Sequence, residues 1–288
     1  MSHSSGTAAG PDPAPSHGRA GRDLPAAIGV GLTLGVTIVA SLFLLKDLFL
    51  LVVLAALLVG LWELSRAFGS AQIRIPIVPI GVGGTVMLVS AFYADMETAA
   101  VAMALTVIGT LVWRLSDGAD GFVRDASAGI FCLAYLFLMG AFVLLMLTED
   151  DGPFRIVAFI VATVASDIGG YVAGVLFGKH PMAPTISPKK SWEGFAGSLV
   201  AGIGAGVLTV TLALDGRWWV GLLLGVAGVV LATLGDLSES LIKRDLGIKD
   251  MGSILPGHGG LMDRLDSLIA VAPAAWLILH YLVPVTST

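Results

Sequence analysis

The sequence predicts an all-α polytopic transmembrane bundle of about nine spans, with a cytoplasmic N-terminus. Three observations predict it. First, 56% of the 288 residues are hydrophobic and only 13% are charged, whereas a soluble domain carries roughly 25% charged residues; the mean hydropathy is +0.91. Second, apolar runs long enough to cross a bilayer recur along the chain, each ended by charge or by Gly and Pro. Third, Lys and Arg collect in alternate connections. At about 20 residues per crossing the chain has room for roughly eight to ten spans and short loops, so the bundle itself must hold the function.

Residues 1–22 are rich in Ser, Gly, Ala, Pro and His without an apolar period, which predicts a disordered cytoplasmic tail. The first apolar run starts near Ala26 and exceeds the core of a signal peptide, so it is expected to be the first span. Nine segments follow from there, at about 25–45, 48–66, 76–93, 98–114, 126–147, 155–178, 194–214, 218–242 and 261–283. Residues 23–150 form an N-terminal group of membrane helices and 151–288 a C-terminal group that carries the chemistry. The fourth and fifth segments are divided by the Asp117-Gly118-Ala119-Asp120-Gly121 turn. A loop ending in Ser187-Pro188-Lys189-Lys190-Ser191 divides the sixth and seventh. No internal repeat or inverted symmetry is visible.

The single cysteine, Cys132, lies in an apolar run. It can form no intrachain disulfide and no zinc cluster, and its expected role is packing. A formal charge of -5 and a pI near 5.4 argue against a nucleic-acid partner. All Lys and Arg except Lys46, Arg155 and Arg217 fall in the tail or in the second-to-third, fourth-to-fifth, sixth-to-seventh and eighth-to-ninth connections. By the positive-inside rule these face the cytosol and the C-terminus lies outside.

The stretch Leu234–Asp266, LGDLSESLIKRDLGIKDMGSILPGHGGLMDRLD, concentrates the unusual chemistry. On the eighth span Asp236, Glu239 and Ser240 stand at i, i+3 and i+4, on one face. On the ninth, Asp263 and Asp266 again stand i, i+3. A Glu239–Lys243 pair at i+4 would explain those two residues as a solvated helix end, but leaves Asp236 without a mate. Acidic residues in a first turn are favoured by the helix dipole whatever their role. Two such pairs at the inner ends of consecutive antiparallel helices can nevertheless converge on magnesium, which takes about six oxygen ligands, usually one or two carboxylates with phosphate oxygens and water. Two adjacent metal sites would suit the same residues.

Lys189, Lys190, Lys243, Arg244, Lys249 and Arg264 are placed to meet a nucleoside triphosphate. Topology alone would account for any one of them, though not for their clustering. His258 stands between Gly257 and Gly259-Gly260, where backbone amides near a helix start favour phosphate; no Walker A pattern occurs. Asp167 interrupts the sixth span about 16 Å from its inner end at 1.5 Å per residue. A carboxylate at that depth costs several kcal/mol unless it finds a partner or a water-filled cavity. Both readings stand, a bundle hydrogen bond or a polar pocket, and Gly169, Gly170 and Gly174 would admit a close neighbouring helix.

The run Ser240-Leu241-Ile242-Lys243-Arg244, Lys249-Asp250, Pro256, His258-Gly259-Gly260 and Asp263-Arg264-Leu265-Asp266 resembles the signature of the phosphatidate cytidylyltransferases, or CDP-diacylglycerol synthases. The Gly235-Asp236 and Glu239-Ser240 pairs, the loop Ser187–Gly194 and Asp167 are similar to family features as well. The likeness is detailed over the C-terminal 40% of the chain. It implies the reaction of CTP with phosphatidate to give CDP-diacylglycerol and pyrophosphate. It also implies a magnesium requirement and a homodimer in the cytoplasmic membrane, with the active site facing the cytosol. The expected metal ligands are Asp236 and Asp263, with Glu239 and Asp266 as ligands or supporting groups. Asp236, Asp263, Lys243, Arg244 and His258 are the expected catalytic set. Ser187, Lys189, Lys190, Ser191, Lys249, Asp250, Gly259, Gly260, Arg264 and Asp167 are expected to bind substrate.

Two rivals remain at this point: a CTP-dependent polyprenol or phytol kinase, and a membrane transporter that would use Asp167 and Asp236 but leave the loop motif without purpose. A CDP-alcohol phosphotransferase is disfavoured, because Asp117-Gly118 lacks the Ala-Arg and spaced aspartates that should follow.

Overall fold

The computed structural model describes residues 24–252, 254 and 259–285. The tail expected over 1–22, and His258, lie outside the described residues. Among these the chain forms nine helical runs: α1 (Leu24–Leu44), α2 (Lys46–Ser70), α3 (Ile77–Tyr93), α4 (Met96–Leu115) and α5 (Phe122–Thr148), then α6 (Gly152–Phe177), α7 (Trp192–Ala213), α8 (Trp218–Asp245) and α9 (Met262–Leu282). They coincide with the nine apolar segments. Seven are long and apolar enough to cross a membrane; α3 and the Gly31–Leu44 stretch of α1 are apolar but shorter. The chain is an all-α membrane bundle.

Local chemistry sets the ends. Asp95 accepts from the Thr98 amide at 2.7 Å and caps α4, which also holds its carboxyl below the usual range. The predicted turn before α5 uses Gly118 and Gly121 at φ +79° and +64°, the left-handed region that glycine enters without steric cost. Within α5, Leu133–Leu138 widen into a π-helical turn. Cys132, just before it, is fully buried, consistent with packing.

The two ends of the bundle sort as alternating helices require. At one end Asp125 Oδ1 accepts from the Arg74 amide at 3.2 Å and pairs with buried Arg114. At the other, Lys46 donates to the Glu149 carbonyl at 2.6 Å and His280 meets the Glu149 carboxylate at 2.7 Å. There too Arg155 pairs with Asp151 and donates to the carbonyls of Leu279 and Val283.

The C-terminal helices pack through glycine. A Cβ on Gly169 of α6 would stand 2.7 Å from the Gly197 carbonyl of α7, and one on Gly197 would stand 2.6 Å from that of Gly169. Backbone therefore rests on backbone, as the Gly169-Gly170 pair predicts. Gly206 of α7 and Gly221 of α8 repeat this, each added Cβ falling 2.5 Å from the other's carbonyl.

One local expectation changes. The connection between α6 and α7 is a two-stranded antiparallel hairpin, β1 (Pro181–Ala183) and β2 (Ser187–Ser191), with Pro181 opposite Ser191 and Ala183 opposite Ser187. Glu193, in the first turn of α7, gathers its base by accepting from the Lys179 and His180 amides at 3.1 and 3.2 Å. Ser191 ends β2 and caps α7, accepting from the Gly194 amide at 3.1 Å.

Candidate active site

The site forms where α8 crosses the first turns of α9. A Cβ on Gly235 would stand 2.8 Å from the Asp266 carbonyl and 2.7 Å from Ala270 Cβ, so only glycine admits α9 this close. The next residue, Asp236, is thereby set beside α9, where Ser267 Oγ donates to its Oδ1 at 2.8 Å. Lys190 of β2 pairs with its other oxygen. Asp236 thus has the mates that α8 alone could not supply.

Two helical turns on, Lys243 donates to Glu239 of its own helix and to Asp263 of α9, both at 2.8 Å. Asp263 Oδ2 also accepts from the Gly260 amide at 2.9 Å and the Met251 amide at 3.2 Å. The i+4 pair therefore exists, but it is one arm of a link between two helices rather than a solvated end: Glu239 is 1% exposed. Asp266, with 9% exposure, accepts the Ser267 amide at 2.7 Å.

Three adjoining cavities surround these groups. The largest, 560 Å³, runs between α6, α7 and the ends of α8 and α9, and holds Asp167, Lys189, Lys190, Ser191, Asp236, Asp263, Arg264 and Asp266 beside apolar Val164, Tyr171, Met182 and Phe195. A second, 270 Å³, is lined by all four paired carboxylates, Asp236, Glu239, Asp263 and Asp266, with Ser187, Lys190, Lys243, Asp250 and Arg264. A third, 360 Å³, is cationic: Lys189, Lys243, Arg244 and Lys249 line it with Ser187 and Asp250. Every predicted site residue within the described part lines one of these cavities except Gly259 and Gly260. Those two lie in the segment leading into α9, Gly259 at φ +85°, and Gly260 reaches the site through its amide. Asp167 lies on the wall of the largest of the three cavities.

Sequence reasoning missed three contributors. Ser267 donates to Asp236. Tyr135, in the π-turn of α5, lies within electrostatic reach of Asp266, Glu239 and Asp236, and its buried hydroxyl has no hydrogen-bond partner among the described residues. Glu63 of α2 is 1% exposed and accepts from the amides of Leu261 and Met262 at 3.1 and 2.8 Å, the opening of α9. A signal for Glu63 existed, since it stands in the apolar run LLVGLWEL much as Asp167 interrupts its own.

The donor set fits a cation. Four carboxylates meet at one cavity, and buried Glu239 Oε1 has no hydrogen-bond donor among the described residues, a need that a bound cation or a proton shared with Asp266 would meet. Among the described residues no three His, Cys, Asp or Glu side chains are already grouped as a ligand shell. Lys243 instead bridges Glu239 and Asp263, and Lys190 pairs with Asp236.

A helical membrane bundle whose paired carboxylates and clustered cations share adjoining cavities has the parts of a nucleotidyl-transferring membrane enzyme. The model of the cytidylyltransferase family matches residues 25–282, and the chain belongs to that family. It is 43% identical over 283 residues to the phosphatidate cytidylyltransferase of Mycobacterium bovis (strain ATCC BAA-935 / AF2122/97), covering 94% of this chain and 92% of the relative. It is 43% identical over 280 residues to the protein of that name from Mycobacterium leprae (strain TN), covering 92% and 90%. The one from Helicobacter pylori (strain ATCC 700392 / 26695) is 40% identical over 144 residues, half of this chain.

Proposed function

We propose that this chain transfers the cytidylyl group of CTP to phosphatidate, yielding CDP-diacylglycerol and pyrophosphate, at the crossing of α8 and α9. The observation that carries the reading is the meeting of Asp236, Glu239, Asp263 and Asp266 at one cavity flanked by a cationic chamber and by one with apolar walls. A phosphate-rich nucleotide suits the first flank and a lipid phosphate the second.

In the reaction an oxygen of the lipid phosphate bonds to the α phosphorus of CTP as the bond to the β phosphate oxygen breaks, and pyrophosphate leaves with that electron pair. No covalent enzyme intermediate is needed. The contribution of the chain is placement and charge. Lys189, Arg244 and Lys249 hold phosphate oxygens in the cationic chamber. Lys190 and Lys243, already seated among the carboxylates, exchange those partners for substrate phosphates. Arg264 contacts phosphate where the 560 and 270 Å³ spaces adjoin, and Val164, Tyr171 and Phe195 exclude water beside the lipid. Asp236 and Asp263, with Glu239 and Asp266 completing or supporting the shell, would hold magnesium, which would supply positive charge to offset that of both phosphates. We further propose that this end of the bundle faces the cytosol, in keeping with the Lys and Arg bias, and that the enzyme works as a homodimer in the cytoplasmic membrane, as its family resemblance implies.

The test uses purified protein with phosphatidate and CTP labelled at either the α or the γ phosphate. Label from the α position should enter the lipid. Entry of γ label alone would make the protein a lipid kinase, and solute flux without CTP consumption would make it a transporter.

A further inference from the structure

Glu63 sits in α2, far from the signature stretch in sequence, yet it holds the start of the helix that carries Asp263 and Asp266. Residue Leu261, at the N-cap of α9, provides no side-chain cap. The two opening amides are instead taken by Glu63, one by each oxygen. The backbone closes around this carboxylate: a Cβ on Gly252 would stand 2.1 Å from Glu63 Oε1, and one on Gly260 would stand 3.0 Å from Oε2 and 2.9 Å from Asp263 Oδ2. Gly60, almost one turn earlier on α2, lets Met262 approach, its own Cβ position lying 3.6 Å from Met262 Sδ.

The same short segment is gripped from its other side by Asp263, which accepts from Gly260 and Met251. Two carboxylates thus hold consecutive amides, Asp263 that of Gly260 and Glu63 those of Leu261 and Met262. A free helix start carries partial positive charge, and in a buried place an acceptor with two oxygens and a full charge satisfies it better than a neutral group.

We propose that Glu63 is a positioning residue for the reaction: it fixes the start of α9 at Leu261 and Met262, and through Gly260 and Met251 it fixes the Asp263 carboxylate. The inference rests on the proposed function for its effect on turnover, though not for its effect on the segment. The N-terminal helices thereby take part in the site through α2.

Glu63→Gln keeps the shape, loses the charge and can accept only one of the two amides well. Two readouts are taken in reconstituted full-length protein. Amide exchange of the Gly260 and Met251 amides, which Asp263 accepts, should quicken at least about tenfold in the variant along with those of Leu261 and Met262. The magnesium concentration for half-maximal cytidylyl transfer should rise about tenfold or more, a loss typical of groups that orient metal-binding side chains, and Glu63→Asp should recover part of it.

Faster exchange confined to Leu261 and Met262, with Gly260 and Met251 still protected, would make Glu63 a helix cap alone and overturn the proposal. So would activity lost only in proportion to folded protein at an unchanged magnesium requirement. If Glu63→Gln does not fold, Gly252→Ala displaces the same carboxylate, and wild-type exchange at Gly260 and Met251 in that variant would equally overturn it. A wild-type protein inactive with CTP and phosphatidate would remove the proposed function, while the exchange measurement would still decide the role of Glu63.

Discussion

The two ends of this bundle both bury charge, and they do so to opposite effect. At the end where α5 meets α6, Arg155 is 1% exposed and all three of its nitrogens are engaged: Asp151 accepts from Nε and Nη2, the Leu279 carbonyl from Nη1 and the Val283 carbonyl from Nη2. At the end where α8 meets α9, four carboxylates share a cavity with Lys190, Lys243 and Arg264, and Glu239 Oε1 is left without a donor among the described residues. The first arrangement is complete and ties the chain's last helix to α6. The second is incomplete in its positive charge, which suits a place where a cation and a phosphate ligand come and go. Paired charge in a membrane protein therefore says little by itself; whether the acceptors outnumber their donors separates a clamp from a site.

Four measurements break or sharpen that contrast, beginning with the largest effect. Removing divalent metal with a chelator should abolish cytidylyl transfer, and magnesium should restore it, read as label entering lipid; activity persisting in excess chelator would remove the metal assignment. Asp263→Asn should lower kcat by about a thousandfold or more, equivalent to roughly 4 kcal/mol of barrier. Membrane insertion and the melting temperature should stay near wild type, and near-normal turnover would show that the carboxylate charge is not needed. Arg155→Met should do the reverse: leaving Asp151 buried without its partner should cost about 3–5 kcal/mol of stability, seen as a lower melting temperature, with kcat per folded molecule unchanged. Smallest, Asp167→Asn should reduce activity by about tenfold, in the range of groups that line and orient a substrate site, and wild-type kinetics in that variant would leave Asp167 a neutral part of the wall.

The helices were legible because hydropathy is a sum over twenty or so residues, and each run here ends in charge or in Gly and Pro. The paired acidic residues of α8 and α9 were legible for a related reason, since i, i+3 spacing fixes a shared face without knowledge of neighbours. The hairpin was not, because strands of three and five residues carrying Pro and Lys display no alternation to read. For that reason Asp236 looked solitary: its partner Lys190 is placed by the register of β2. The π-turn in α5 hides within a uniformly apolar stretch, LAYLFL. Glu63 stayed hidden although it is a charge in an apolar run, because it lies close to Arg66 and reads as part of a helix end, while the amides it serves are 198 and 199 residues further on.

The short strand β2 sets adjacent lysines side by side, with one space shared between them and one that each has alone. Lys189 borders the 560 and 360 Å³ spaces, and Lys190 the 560 and 270 Å³ spaces, as the two-residue repeat of a strand dictates. Which lysine borders which chamber therefore follows from its place along the ribbon, and removing a single residue from the 184–186 bend would shift that assignment without altering the chain's charge.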